Sequence, residues 1–238
     1  MVRGGELSMK GLELVNGCFV RKGRKIIDGV DFELRRGEVA LLFGPNGSGK
    51  STVFHSLMGI LKLTSGKVLM EDTDITVLPV YERFRRGIVL APEKMRVAPN
   101  LTVEENLLIG CGSPARLSEV YELFPVLKKL RKQKASTVSG GERQMTVFGR
   151  ALLSDPRYLL LDEPFQGLQK EAGDKILEVV KTLKEESVGI AIISHERVNE
   201  LVKIADRFYI MIAGKVAHQG QVESLSETIE KLGEYLLV

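Results

Sequence analysis

The stretch Gly44-Pro45-Asn46-Gly47-Ser48-Gly49-Lys50-Ser51-Thr52 follows directly on the apolar run Val39-Ala40-Leu41-Leu42-Phe43. Such a run reads as a strand covered on both faces, because burial on two sides removes the apolar–polar alternation of a half-exposed strand. A glycine-rich turn that closes such a strand and opens a helix commits the chain to a layered α/β fold with its site at the strand's carboxyl end. Glycines let successive backbone N–H groups converge on phosphate oxygens, and the helix adds the positive end of its dipole. Lys50 then reaches the terminal phosphates and Ser51 can ligate Mg²⁺, so the pattern fits a nucleoside triphosphate. The plain alternative is an ordinary glycine turn between strand and helix.

A second short apolar run, Tyr158-Leu159-Leu160-Leu161, ends in Asp162-Glu163-Pro164. Side chains alternate along a strand, so adjacent acids point different ways and can take different tasks. Asp162 is expected in the Mg²⁺ shell, and Glu163 is expected to polarise or position the water that attacks the terminal phosphate. Read alone, the pair could equally cap the next helix. Ser139-Gly140-Gly141-Glu142 has the form of a capping box, with Ser as N-cap and Glu three positions on, and alone it decides nothing. What informs is the order: a helix from Glu142 to Leu153 runs through Asp155-Pro156 into the acidic strand. A glycine-opened helix start is also an anion site, and Ser139 with the N–H groups of Gly140 and Gly141 can complete a cage around a γ-phosphate. A further apolar run, Ile190-Ala191-Ile192-Ile193-Ser194, places His195 at the same carboxyl edge of the sheet.

These residues resemble the nucleotide-binding subunit of ABC transporters, from a Walker A loop at Gly44–Thr52 through the signature Val138-Ser139-Gly140-Gly141-Glu142-Arg143-Gln144 to a Walker B strand at Leu159–Pro164. The resemblance covers nearly the whole chain. It implies a P-loop NTPase core with a mixed, mainly parallel sheet, an N-terminal antiparallel β subdomain and an inserted helical subdomain at about residues 92–138, all in one domain spanning 1–238. It implies ATP and Mg²⁺ as cofactors and a head-to-tail dimer in which the signature of one subunit closes on the nucleotide held by the other's Walker A loop. His195 resembles the family's switch histidine, and Glu93, after Ile88–Pro92, stands where the family usually supplies a glutamine to Mg²⁺. A carboxylate can still ligate Mg²⁺ but donates no hydrogen bond while ionised.

Pro92-Glu93, the Leu101–Leu107 run, Leu123-Phe124-Pro125 and the basic stretch into Lys134 are similar to one of the two ATPases of branched-chain amino-acid importers. Asp162-Glu163-Pro164-Phe165 is similar to lipopolysaccharide export ATPases, and the Gly-Pro-Asn-Gly-Ser-Gly-Lys loop is shared with a soluble ATPase that serves iron–sulfur cluster assembly. The expected function is therefore an ATP hydrolase that dimerises on ATP and powers membrane permease subunits, with branched-chain amino-acid import favoured. Glu163 and His195 argue against a non-hydrolysing nucleotide sensor. Two positions depart from the family pattern. The adenine-stacking aromatic falls near Arg21, with Phe19 close by, and Gly167-Leu168-Gln169 stands where many relatives end in aspartate.

The remainder of the chain fits this expectation. With 238 residues, 44% of them hydrophobic, the chain can bury a sizeable core. Its longest apolar runs fall short of the roughly 18 residues of a membrane span. The opening Met1-Val2-Arg3-Gly4-Gly5-Glu6 has no apolar signal core, and Cys18 and Cys111 lack metal-ligand spacing. Both features predict a cytoplasmic protein, and the family resemblance implies that it is peripheral on the inner face of the membrane through its permease. A net charge of +3 is too small to suggest nucleic acid as a partner. The basic runs Arg83, Arg85, Arg86 and Lys128–Lys134 read as solvated helix faces, and His55 and His218 read as structural. Short strands are expected at Leu12–Val15, Lys25–Ile27, Phe32–Leu34, Val68–Met70 and Ile88–Leu90. A hairpin is expected at Phe208–Ile212 and Lys215–His218, followed by a polar terminal helix.

Overall fold

The computed structural model describes residues 11–93, 97–111 and 114–222. Strands β1 (Gly11–Arg21) and β2 (Arg24–Arg35) lead to β3 (Val39–Phe43), and the glycine loop opens α1 (Lys50–Met58). Next come β4 (Ser65–Met70), β5 (Thr73–Asp74), α2 (Val80–Arg85) and β6 (Ile88–Ala91). A helical stretch holds α3 (Val103–Leu108), a 3₁₀ turn at Pro114–Arg116, α4 (Leu117–Leu123) and α5 (Pro125–Leu130). Helix α6 (Gly140–Leu153) runs into β7 (Tyr158–Asp162), and α7 (Lys170–Glu185) into β8 (Gly189–Ile193). Helix α8 (Val198–Val202), β9 (Arg207–Ile212) and β10 (Lys215–Gln221) complete the described chain.

Two sheets form. One is antiparallel, in the order β2-β1-β4-β5; the other is six-stranded, in the order β10-β9-β3-β8-β7-β6. In the larger sheet every neighbouring pair is parallel except β9 with β10. The expected mixed, mainly parallel core, antiparallel β region and helical insert are thus all present. The Ala213-Gly214 turn between β9 and β10 has both residues at positive φ, the geometry that matches the twist of a two-residue hairpin. The expected terminal helix lies outside the described residues.

Alternation along the central strands explains the two cores. Leu41 and Phe43 of β3, with Leu159 and Leu161 of β7, face Phe148 of α6 and Ile176 and Val180 of α7. Ala40, Leu42, Leu160 and Ile193 face the other way, onto Phe54 and Leu57 of α1 and onto Leu12, Leu14 and Phe32 of the antiparallel sheet. Each fully buried side chain of this size contributes about 1.5–3 kcal/mol. That packing fixes β3, β7 and β8 side by side in register, so Phe43, Asp162 and Ile193 end at one edge.

Two expectations are corrected. Lys25–Ile27 and Phe32–Leu34 are not separate strands but parts of β2; Gly17 of β1 pairs with Val30 and Phe19 with Ile27, so Asp28-Gly29 is accommodated as a bulge instead of a break. Arg83 is not on a solvated face. It is 2% exposed, and its guanidinium donates to the carbonyls of Ser56 and Leu57 at the end of α1 and to those of Thr76 and Leu78. It closes the carboxyl end of the helix that follows the phosphate loop. Arg85 and Arg86 are exposed, as are Lys128, Lys129, Arg131, Lys132 and Lys134.

Candidate active site

The Gly44–Thr52 loop turns tightly under the β9 end. Gly44 has φ 139°, and a Cβ there would lie 2.1 Å from the Met211 carbonyl, so no other residue fits. Pro45, Asn46 and Gly47 are exposed, whereas Ser48, Gly49 and Lys50 are buried, which leaves the crest of the loop open above a fixed base. The Lys50 ammonium donates to the carbonyls of Gly44 (2.6 Å) and Pro45 (3.1 Å) and so lies across the loop it is expected to serve. Burial pushes its pKa down, opposed by the nearby Glu163 and Asp162 carboxylates. A partly desolvated cation held by two neutral carbonyls is well placed to exchange them for phosphate oxygens. Ser51 and Thr52 enter the first turn of α1.

Asp162 is the last residue of β7, whereas Glu163 lies beyond it in a left-handed turn, so the turn and not strand alternation separates the two acids. Asp162 is buried, one of its carboxylate oxygens has no hydrogen-bond partner, and the Ser51 hydroxyl is its side-chain partner. Desolvation raises its pKa, with Glu93 adding repulsion. Two carboxylates and a hydroxyl gathered there form a set of hard oxygens that fits Mg²⁺, which keeps several waters and takes its other ligands from phosphates. Glu163 lies just beyond the strand, at φ 50°, with its N–H donating to the Ile193 carbonyl at 2.9 Å. Its carboxylate accepts the His195 backbone N–H at 3.3 Å and lies 3.5 Å from His195 Nε2. Desolvation, with Asp162 repulsion behind it, pushes the Glu163 pKa up to about 7, against the opposing His195 N–H. Burial and Lys50 lower that of His195, so near neutrality the ring is an uncharged partner.

Ser139, Gly140, Gly141 and Glu142 lie elsewhere on the chain. Among the described residues no hydrogen bond or ion pair joins them to the Gly44–Thr52 loop. The capping box is complete: the Glu142 N–H donates to Ser139 Oγ, and the Ser139 N–H donates to the Glu142 carboxylate. Ser139 and Gly140 are exposed, and among the described residues nothing beyond the neighbouring residues and backbone of its own helix lies within 4 Å of where a Gly140 Cβ would be. The turn is therefore a helix cap whose first residues are open to solvent.

Of the two candidates for the base-stacking position, Phe19 packs against the core under the antiparallel sheet, whereas Arg21 is exposed at the end of β1. Gln169 is the N-cap of α7 without a side-chain capping bond. His218 lies against Phe208, and His55 contributes its carbonyl to the turn after α1. Two roles escape the sequence reading. Arg197, at positive φ, binds Asp174 and the Lys170 carbonyl and lies over the Phe165 ring, bracing the loop after His195. Gln144 donates to the Glu163 carbonyl. Neither role carries a sequence signal, because the partners are backbone groups and residues brought together only by the fold.

A family model described as ABC transporter matches residues 27–166, more than half of the chain. The chain belongs to the ABC transporter family. The high-affinity branched-chain amino acid transport ATP-binding protein BraG of Pseudomonas aeruginosa is 39% identical over 193 residues, covering 79% of this chain and 82% of that protein. The lipopolysaccharide export system ATP-binding protein LptB of Escherichia coli is 33% identical over 216 residues, covering 87% and 89%. Among solved structures, the ADP conformation of an ATP-binding cassette of an ABC transporter superposes with a TM-score of 0.80 at 29% identity, covering 97% of this chain and 99% of that one. This ABC protein is accordingly an ATP-binding subunit of a transporter, and ATP hydrolysis is the activity of its family. Among the described residues no helix is long and apolar enough to cross a membrane.

Proposed function

We propose that this ABC subunit binds MgATP at Gly44–Thr52, closes on it as a head-to-tail dimer through Ser139, Gly140, Gly141 and Glu142 of a second subunit, and hydrolyses it with Glu163 as base and His195 as its partner. The observation that carries the reading is the convergence of Lys50, Asp162, Glu163 and His195 at one sheet edge, with Glu163 raised to a pKa of about 7. A carboxylate poised there can take a proton from water at neutral pH and return it. Mg²⁺ held by Ser51, Asp162 and Glu93 would offset phosphate charge in the transition state. Lys50 orients the terminal phosphates, and the Ser139 turn of the second subunit supplies backbone N–H groups from the opposite side.

Coupling to a permease is supported by an apolar groove of about 610 Å³, lined by Met58, Tyr81, Phe84, Val89, Ile109 and Ala151 among others. Tyr81 and Ile109 remain exposed there, as expected of a face that a membrane partner covers. Such a groove suits docking by a protein partner, here read as the permease. It also fits a subunit held at the inner membrane surface through that partner, with no nucleic acid involved. Branched-chain amino-acid import is the favoured substrate class, supported by the similarity to BraG; the longer match to LptB supports lipopolysaccharide export as the second reading.

The test is hydrolysis of MgATP by the purified chain and by Glu163→Gln, with size-exclusion chromatography in ATP. Loss of turnover together with an ATP-dependent dimer in the variant is expected, and turnover at the parent rate would remove Glu163 as the base. Reconstitution with its permease then decides the substrate: stimulation of ATPase by leucine supports import, and stimulation by lipopolysaccharide supports export.

A further inference from the structure

Gln144 follows the Ser139–Glu142 turn, whose Ser139 and Gly140 are exposed, yet is itself 1% exposed. Its Nε2 donates to the Glu163 carbonyl at 3.2 Å, which also accepts the Gln166 N–H at 3.3 Å. The amide orientation follows from this partner, because the reversed amide would set oxygen against oxygen. Glu163 holds a left-handed backbone, φ 50°, that residues with a Cβ adopt only when their surroundings enforce it. Here those surroundings include the Ile193 carbonyl on one side of the residue and Gln166 and Gln144 on the other. The first turn of α6 also rests on the same segment, since a Cβ on Gly141 would lie 2.8 Å from the Gly167 carbonyl. A shift of that turn is therefore transmitted to the Glu163 peptide and to the direction of its carboxylate.

We propose that Gln144 is a positioning residue for hydrolysis: its amide fixes the Glu163 peptide, so that the aim of the base depends on how the first turn of α6 is seated. Because that turn also presents Ser139 and Gly140, engagement of an anion there reaches the Glu163 site of the same chain through one hydrogen bond. The proposal rests on the reading of Glu163 as the base.

The test is a double-mutant cycle in MgATP hydrolysis by the full chain. Gln144→Met keeps length and volume but removes the donor. It should lower kcat about tenfold, the scale of one lost hydrogen bond that matters in the transition state, with KM for ATP and calorimetric ADP affinity changed by less than about twofold. In the Glu163→Gln background the same change should alter residual kcat by less than about twofold, because the group it aims is gone. Gln144→Glu, of the same shape, donates only while protonated, so its deficit should grow with pH. Three results would overturn the proposal: parent kcat in Gln144→Met, an equal loss in both backgrounds, or a deficit in Gln144→Glu that is flat with pH. Parent hydrolysis by Glu163→Gln alone would instead overturn the base assignment on which the proposal stands.

Discussion

Replacing Glu163 by Gln should stabilise the nucleotide-free protein, by an amount that depends on pH. In the folded chain its carboxyl is raised from an ordinary 4.5 to about 7, mainly by desolvation. Between those values the unfolded chain has lost the proton while the native chain keeps it. Native stability therefore falls as pH rises through this window, opposite to the usual carboxylate. A shift of that size corresponds to about 3 kcal/mol above pH 7, and the side chain is only 14% exposed, so little of it is screened. Glutamine has the same shape, carries no charge and can still accept the His195 N–H. The variant and parent should thus unfold alike near pH 4.5 and diverge above pH 7, where the variant's Tm should be higher by roughly 5–10 °C. Urea unfolding at both pH values, without nucleotide, measures the gap. A gap of equal size at both, or a less stable variant at pH 8, would refute the claim that burial of this charge raises its pKa.

Three further outcomes are expected. Lys50→Ala should abolish ATP binding measured by calorimetry, since the loop loses the ammonium that lies across it; retained tight binding would remove Lys50 from the phosphate site. The kcat/KM of the parent should rise with pH through about 7 as Glu163 of the free chain loses its proton, and a flat pH profile of kcat/KM would contradict its role as base. Arg83→Met should destabilise the fold by about 3 kcal/mol, because it leaves buried carbonyls at the end of α1 without donors; an unchanged urea midpoint would refute this.

The sheet and most of the candidate site are legible in the sequence because their signals are local. Val39–Phe43, Tyr158–Leu161 and Ile190–Ile193 are short apolar runs that end in polar residues, and buried parallel strands must end at one edge, so Lys50, Asp162, Glu163 and His195 converge once the runs are recognised. Where pairing overrides local signals, sequence reasoning fails. Asp28-Gly29 has the composition of a turn, yet β1 pairs on both sides of it and makes β2 continuous. Arg83 sits in a basic run, and nothing in that run distinguishes the guanidinium that turns inward to the end of α1. Gln144 stands within the signature motif, but its task is not legible there, since its partner is a carbonyl 19 residues away.

The central claim is that one ATP is held by Lys50 of one chain and the Ser139 turn of another, and intermolecular complementation tests it most directly. Lys50→Ala removes the phosphate cation, and Ser139→Asp keeps a good helix cap while placing a negative charge at the anion turn. Each variant alone should fail to hydrolyse ATP, because both sites of its dimer carry the defect. Mixed, the two variants can form a dimer with one intact site, in which Lys50 comes from the Ser139→Asp chain and Ser139 from the Lys50→Ala chain. The account predicts that the mixture recovers hydrolysis that neither variant shows alone; a mixture as inactive as its components would contradict it.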